Sequence, residues 1–272
     1  MKLTRTLPRY KNADVLILSI GKSGRTWLRV LINKYFSLKN NIPFELNDLH
    51  RIDDSIPSII YTHEMWRHYT HARLPEFLKG KYIIPDNILY KKKVILLYRD
   101  PRDVVVSLYF QATNRSKRYK GKVPNEISDF IRHKTLGIYN IVKVMNKWHS
   151  RLSDHQDILR ISYEDMKKDV FMELKKILEF IGIENVDNES AREAVNFSDF
   201  NNMKLMEAKG AFNKQALSPV DRNDTNSYKV REGKTGGYVR HFNDSDLDYL
   251  NEAMEMLNDI YGYKGKHDVT AE

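Results

Sequence analysis

DVLILSIGKSGRTWLRVLINKYF, residues Asp14 to Phe36, decides the fold of this chain. Its first seven residues are an apolar run closed by Gly21, which suits a strand buried on both faces. After the turn, Trp27, Val30, Leu31, Lys34 and Tyr35 recur at helical spacing and give one mostly apolar face. The turn itself, SIGKSGRTW (Ser19 to Trp27), holds two glycines that let backbone amides converge on an anion. The helix N-terminus adds its dipole and Lys22 a positive charge. GKS also mimics the end of a Walker A loop, but that pattern needs glycine at position 16, which is Leu16. A magnesium-dependent nucleoside triphosphatase is therefore disfavoured.

SIIYT (Ser58 to Thr62), VILLY (Val94 to Tyr98) and ILRIS (Ile158 to Ser162) read as further short strands, each succeeded by a helical pattern. One stripe runs Ile138, Ile141, Val142, Met145, Trp148 and Leu152; another runs Met166, Val170, Leu174, Ile177, Leu178 and Ile181. Strands alternating with helices imply crossover units, and so an α/β fold with a central parallel sheet flanked by helices. Ala208 to Tyr238 is polar and aperiodic and reads as a long loop, followed by a last helix opened by Asp244 or Ser245. Neither a repeat nor a linker is visible, so residues 1–272 are expected to form a single domain. Within it, residues 14–36 form the anion-binding loop and helix, and residues 208–240 form a second loop.

Composition narrows the class. With 41% hydrophobic residues, 16 Tyr and 11 Phe the chain can build a core, and no uninterrupted apolar window reaches the length of a membrane span. The N-terminal basic residues precede a short apolar run without a small-residue cleavage site, so that run is expected to be a buried strand and not a leader. The absence of cysteine excludes disulfides, thiolate catalysis and Cys-ligated metal; cytoplasmic residence is the default expectation. Forty-five Lys and Arg against 36 Asp and Glu give a net charge of +9, which attracts anions without naming one.

A second motif, YRDPRDVVVS (Tyr98 to Ser107), follows the VILLY strand. Arg99 at the strand end and Ser107 two turns into the next helix could converge on one phosphate, with Pro101 in the first helical turn. Asp100 and Asp103 near a helix N-terminus need no further role. His63, Glu64 and His68 superficially suggest a zinc motif, but the spacing is H-E-x-x-x-H, which sets the histidines about 140° apart around a helix. No metal is expected.

Taken together, GKSGRTW, RDPRDVVVS, YEDM (Tyr163 to Met166), SDFNNMK (Ser198 to Lys204) and REGKTGGY (Arg231 to Tyr238) resemble, in order, the motifs of sulfotransferases that use 3'-phosphoadenosine 5'-phosphosulfate (PAPS). That resemblance implies a P-loop-like strand-turn-helix in which Lys22, Ser23, Gly24, Arg25 and Thr26 grip the 5'-phosphosulfate and Trp27 lies beside the adenine. It implies that Arg99, Ser107, Arg231, Glu232 and Gly233 hold the 3'-phosphate and that Tyr163, Ser198 and Phe200 complete the adenine pocket. His63, in a segment similar to the family's K-T-H, is then the general base. Lys22 would stabilise charge on the leaving phosphate as a sulfuryl group passes in line to an acceptor, releasing adenosine 3',5'-bisphosphate.

The chain departs from the family pattern where Tyr61 replaces Lys, Arg25 replaces the first Thr, and Glu232, Gly237 and Tyr238 replace Lys, Asp and Trp. These changes separate it from hormone- and phenol-sulfating members; Tyr61, Arg25, the short segment between the first loop and His63, and RDPRDVVVSLYFQAT resemble compact bacterial ones, and no dimerisation segment is visible near the C-terminus. A carbohydrate hydroxyl is the expected acceptor, with Arg115, Lys117, Arg118, Lys120 and Lys122 lining its side, and Ala208 to Lys229 is expected to be a mobile lid. Two rivals are a P-loop nucleotide kinase and a non-enzymatic binder of acidic glycan or nucleic acid. Neither requires Arg99, Ser107 and Arg231 where they stand.

Overall fold

The computed structural model describes residues 7–119, 121–211 and 217–265. The chain divides into two compact units. The first comprises residues to Ser19, Ser23–Tyr98 and Asp154–Asn202; the second comprises Ile20–Lys22, Arg99–Ser153 and the chain from Met203 onward.

The first unit is built on four parallel strands, β1 (Val15–Ser19), β2 (Ile59–Thr62), β3 (Lys93–Tyr98) and β4 (Ile158–Ser162), in the order β2-β1-β3-β4. Every residue of β1 is buried, as an unbroken apolar strand between two neighbours requires. Its alternate residues Val15 and Ile17 join Ile95, Leu97 and Ile161 on one face, covered by helices Arg25–Lys39, Val170–Ile181 and Asn188–Phe197. From the first helix Leu28, Leu31, Ile32, Tyr35 and Phe36 enter that core; of the expected stripe only Leu31 and Tyr35 belong to it, Trp27 packs against its margin, Val30 is buried outside it and Lys34 is half-buried, so the core face lies about one residue further round the helix. The expected stripe from Met166 to Ile181 is split into two helices, Tyr163–Lys168 and Val170–Ile181. The break falls at Asp169, whose side chain accepts from Met172 N at 2.9 Å and restarts the helix as its N-cap.

The ladders pair Leu18 with Thr62, Ser19 with Leu97 and Tyr98 with Ser162. The strands therefore end level. Each hands the chain to a residue singled out by sequence: the loop with Lys22 follows Ser19, His63 follows Thr62, Arg99 follows Tyr98, and Tyr163 follows Ser162. The carboxyl edge of a parallel sheet is where α/β folds place ligands.

In the second unit, helix Pro101–Phe110 opens on Asp100, which accepts from Arg102 N and pairs with its guanidinium, both at 2.8 Å. Proline costs nothing at this first turn because its missing N–H would lack an intrahelical partner there anyway. The helix continues into a π-helical turn, Gln111–Arg115. It packs on helix Ile138–Arg151, which also packs on the last helix, Asp244–Glu255. That last helix is capped one residue earlier than expected, by Asn243, which accepts from Asp246 N. In the aperiodic segment, Ala208 and Lys209 end helix Phe200–Lys209, and among the described residues only short 3-10 stretches follow, including Thr225–Ser227 and Gly237–His241. Residues 212–216 of the expected lid, and Lys120 of the basic run, lie outside the described residues. No described helix is long and apolar enough to cross a membrane.

Candidate active site

The loop after β1 takes a backbone that side chains other than hydrogen rarely adopt. Lys22 has φ 72° and Gly24 φ 88°. Lysine in this region costs of order 1–3 kcal/mol, a strain characteristic of ligand-binding turns. At Gly24 a Cβ would stand 2.7 Å from Cδ2 of Tyr163, so glycine is what lets that ring close over the helix start. Tyr163 also meets Trp27 edge-on, with ring centroids 5.6 Å apart. Ser23 is fully buried and its hydroxyl has no hydrogen-bond partner among the described residues. Thr26 is half-buried in the first helical turn. Ser198 is buried and donates to Val195 O at 3.3 Å, while the half-buried Phe200 starts the next helix.

His63 is the N-cap of helix Glu64–His71 and half-buried. Its Nδ1 lies 2.9 Å from both the carbonyl oxygen and the hydroxyl of Ser19, and that hydroxyl also donates to Thr62 O at 3.3 Å. A carbonyl can only accept, so Nδ1 carries the proton in the neutral ring and Nε2 the lone pair. The level ends of β1 and β2 create this tautomer lock.

In the second unit the RDPRD and REGKTGGY motifs are bonded together. Asp103 accepts from Gly236 N at 2.9 Å and Tyr238 N at 3.1 Å, and pairs with Arg99 at 3.3 Å. Burial, against the opposing charge of Arg99, holds its carboxyl above the usual aspartate value. Arg99 also donates to Lys234 O at 2.7 Å. Arg231 stacks over Phe110 with its guanidinium 3.8 Å from the ring centre, and pairs with Glu232, which also takes Arg240 at 2.7 Å. Burial lowers the Arg231 value and Glu232 opposes that shift. Gly233 supplies a positive φ of 65°. Ser107 is half-buried on helix Pro101–Phe110.

Lys22 is half-buried; Nζ donates to Gln111 Oε1 at 2.9 Å and makes no ion pair among the described residues. Its ammonium is held well below the ordinary lysine value, by burial first and then by the charges of Lys229, Arg115 and Arg99, with Glu207 opposing. A desolvated cation set among cations and bonded to a neutral amide is a site matched to a polyanion.

Arg115 departs from its expected place on an acceptor-binding surface. Its side chain is nearly buried, pairs with the fully buried Glu207 at 3.1 Å and donates to the Ser218 and Ser227 carbonyls. Glu207 in turn accepts from Lys229 N at 2.8 Å and Val230 N at 2.9 Å. Sequence reasoning missed Gln111, Glu207 and Lys229, and gave Asp103 only a helix-dipole role. Arg115 and Glu207 lie 92 positions apart, and neither carries a local signal of the other.

The sulfotransferase domain model matches residues 12–264. The chain belongs to the sulfotransferase domain family. Among curated relatives of this sulfotransferase-family chain, cytosolic sulfotransferase 12 of Arabidopsis thaliana is 23% identical over 266 residues, covering 90% of this chain and 77% of the relative. The amine sulfotransferase of Oryctolagus cuniculus is 24% identical, covering 89% and 80%. The crystal structure of mouse sulfotransferase SULT7A1 complexed with PAP superposes with a TM-score of 0.62 at 22% identity, covering 93% of this chain and 88% of that one. The sulfotransferase fold accordingly runs through both units.

Proposed function

We propose that this chain transfers a sulfuryl group from PAPS to an acceptor hydroxyl. The observation that carries the reading is Lys22, whose half-buried ammonium faces further cations and makes no ion pair among the described residues. A donor with phosphosulfate and 3'-phosphate groups supplies the missing charge. Lys22, Ser23, Gly24 and Thr26, with the Arg25 backbone, would hold the 5'-phosphosulfate; the buried Ser23 hydroxyl gains a partner there. Arg99, Ser107, Arg231 and the turn at Glu232 and Gly233 would hold the 3'-phosphate, and Trp27, Tyr163, Ser198 and Phe200 the adenine. The PAP complex of the mouse relative supports this donor.

In the proposed reaction His63 Nε2 takes the acceptor proton as the acceptor oxygen bonds to sulfur. The bond from sulfur to the bridging phosphate oxygen breaks, and Lys22 neutralises the charge that gathers there. Adenosine 3',5'-bisphosphate leaves. Ser19 keeps the imidazole lone pair on Nε2. One family model running from residue 12 to 264 supports a single catalytic domain made of the whole chain. The Arabidopsis relative's cytosolic name supports a cytoplasmic place of work. The acceptor we propose is a carbohydrate hydroxyl, supported among the described residues by the exposed Lys117, Arg118 and Lys122, whereas Arg115 turns inward to Glu207.

Calorimetric titration with adenosine 3',5'-bisphosphate, against ATP with magnesium, tests the donor. The bisphosphate should bind, and Arg99→Ala should weaken it about a hundredfold by removing a charge-assisted contact. His63→Ala should still bind it while losing turnover. Preference for magnesium ATP would favour a kinase, and near-normal turnover without His63 would move the base elsewhere.

A further inference from the structure

Arg25 does not share the surroundings of Lys22. Its guanidinium lies within electrostatic reach of Arg29, Arg9, Arg67 and Tyr10, all in the first unit. Tyr10 fixes where this group sits: its hydroxyl donates to Glu64 at 2.7 Å and lies 3.2 Å from the Thr62 hydroxyl. Thr62 and Glu64 are the two neighbours of His63 in the chain.

Three of these arginines rest on aromatic rings. Arg9 lies over Tyr10 at 5.2 Å, Arg29 over Tyr61 at 4.4 Å and Arg67 over Tyr82 at 4.2 Å. Stacking uses the face of a guanidinium and leaves N–H donors along its edge. Glu64 pairs with Arg67 at 3.8 Å while accepting from Tyr10, and its single negative charge offsets only one of the four arginines. The Arg25 side chain forms no hydrogen bond or ion pair among the described residues, and the residue is half-buried. The Tyr61 side chain beneath Arg29 is 8% exposed, and its hydroxyl has no hydrogen-bond partner there either. Burial, then Arg29, Arg9 and Arg67, lower the Arg25 guanidinium to about 9, as expected for a cation packed without a counter-ion.

We infer that these arginines bind an oxyanion on the acceptor, a carboxylate or a sulfate or phosphate ester near the reacting hydroxyl, with Arg25 as the principal ligand. The inference rests on the reading of His63 as the base that meets the acceptor. Main chain and side chain of Arg25 then serve different ligands, the amide the donor and the guanidinium the acceptor. An anionic anchor also lets the enzyme choose one among chemically similar hydroxyls, because only one lies at the right distance from the charge.

The test begins by titrating the protein with adenosine 3',5'-bisphosphate; no binding at this step sinks the donor reading, and this inference with it. The loaded protein is next titrated with matched probes: 4-nitrophenyl β-D-glucuronide against the glucoside, and 4-hydroxyphenylacetate against its amide. At least one charged member should bind about tenfold or more tightly than its neutral partner, the ratio should fall to near one in Arg25→Ala, and Arg25→Lys should restore part of it. A donor defect weakens both members alike and leaves the ratio untouched. Equal affinities in the unsubstituted protein, no binding of either charged probe, or a ratio that survives in Arg29→Met and in Arg25→Ala overturns the inference. If Arg25→Ala does not fold, Arg29→Met alone decides, and a ratio that survives there counts against it.

Discussion

Replacing Glu207 with alanine probes the least visible part of the site. The carboxylate is fully buried and accepts three hydrogen bonds, from Arg115 at 3.1 Å and from the amides of Lys229 at 2.8 Å and Val230 at 2.9 Å. Removing one partner of a buried ion pair costs about 3–5 kcal/mol. Each orphaned amide would add about 1–3 kcal/mol if it found no water. Against this, Arg115 keeps the Ser218 and Ser227 carbonyls, and the space vacated by the carboxylate can admit water to the amides. A loss of about 4 kcal/mol is therefore expected for Glu207→Ala, and about 2 kcal/mol for Glu207→Gln, which keeps an acceptor oxygen but no charge. Urea unfolding followed by the fluorescence of Trp27, Trp66 and Trp148 reads both values. A loss below about 1 kcal/mol for the alanine variant would refute the argument, since it would mean that Arg115 and the two amides are satisfied without Glu207.

Lys22 carries a pH prediction. Its value is lowered in the free protein, so its charge is lost as pH rises through that lowered value; a bound polyanion favours the charged form and raises it again. At a pH between the lowered value of the free protein and the higher one of the complex, binding of adenosine 3',5'-bisphosphate should thus take up protons, seen as a binding enthalpy that changes with buffer ionisation enthalpy, and identical enthalpies across the pH range would count against the cluster. Gly24→Ala should destabilise by about 1–3 kcal/mol in thermal or urea melts, because the new Cβ meets the Tyr163 ring at 2.7 Å on a backbone at φ 88°. Asp246 is buried, which opposes its charge, but bonds from Ser128 and Arg132 outweigh this and lower its value. The stability from that shift is present above the unfolded aspartate value of about 3.9 and disappears as pH falls through the folded one. Asp246→Asn should therefore be less stable than the parent at neutral pH, and the gap should narrow in acid melts.

The strands were legible because each is a short apolar run ended by polar residues, and a parallel sheet buried on both faces writes itself in that way. The helix after β1 was legible as a helix from its period, although its core face lies about one residue further round than the stripe through Trp27, Val30 and Lys34. Asp169 shows the limit: the apolar stripe continues from Met166 to Ile181, yet a single capping side chain divides it, and period alone does not register a cap. Among the candidate site residues, the positions of Lys22 and His63 in the fold could be read because they lie just beyond strand ends, where chain order and sheet position coincide. Arg115 could not. Its neighbours in sequence make it part of a basic surface run, whereas its environment is set by Glu207, Ser218 and Ser227, all far along the chain. Arg25 was read wholly through the loop it belongs to, and its side chain keeps other company, on the flank marked by Tyr10.

The sheet has a consequence for how the molecule folds. All of its ladders are parallel: Val15 pairs with Ile59 and with Lys93, and Val94 pairs with Ile158. Each joins segments roughly forty or more positions apart, so no hairpin can form early and hold two strands while the rest of the chain searches. Closing such long loops costs entropy before any ladder returns it, which places this topology among slow folders. β3 meets both β1 and β4, whereas β2 has one neighbour at the sheet's margin. An interior truncation in β3 should slow refolding more than the same truncation in β2, because two ladders wait on it.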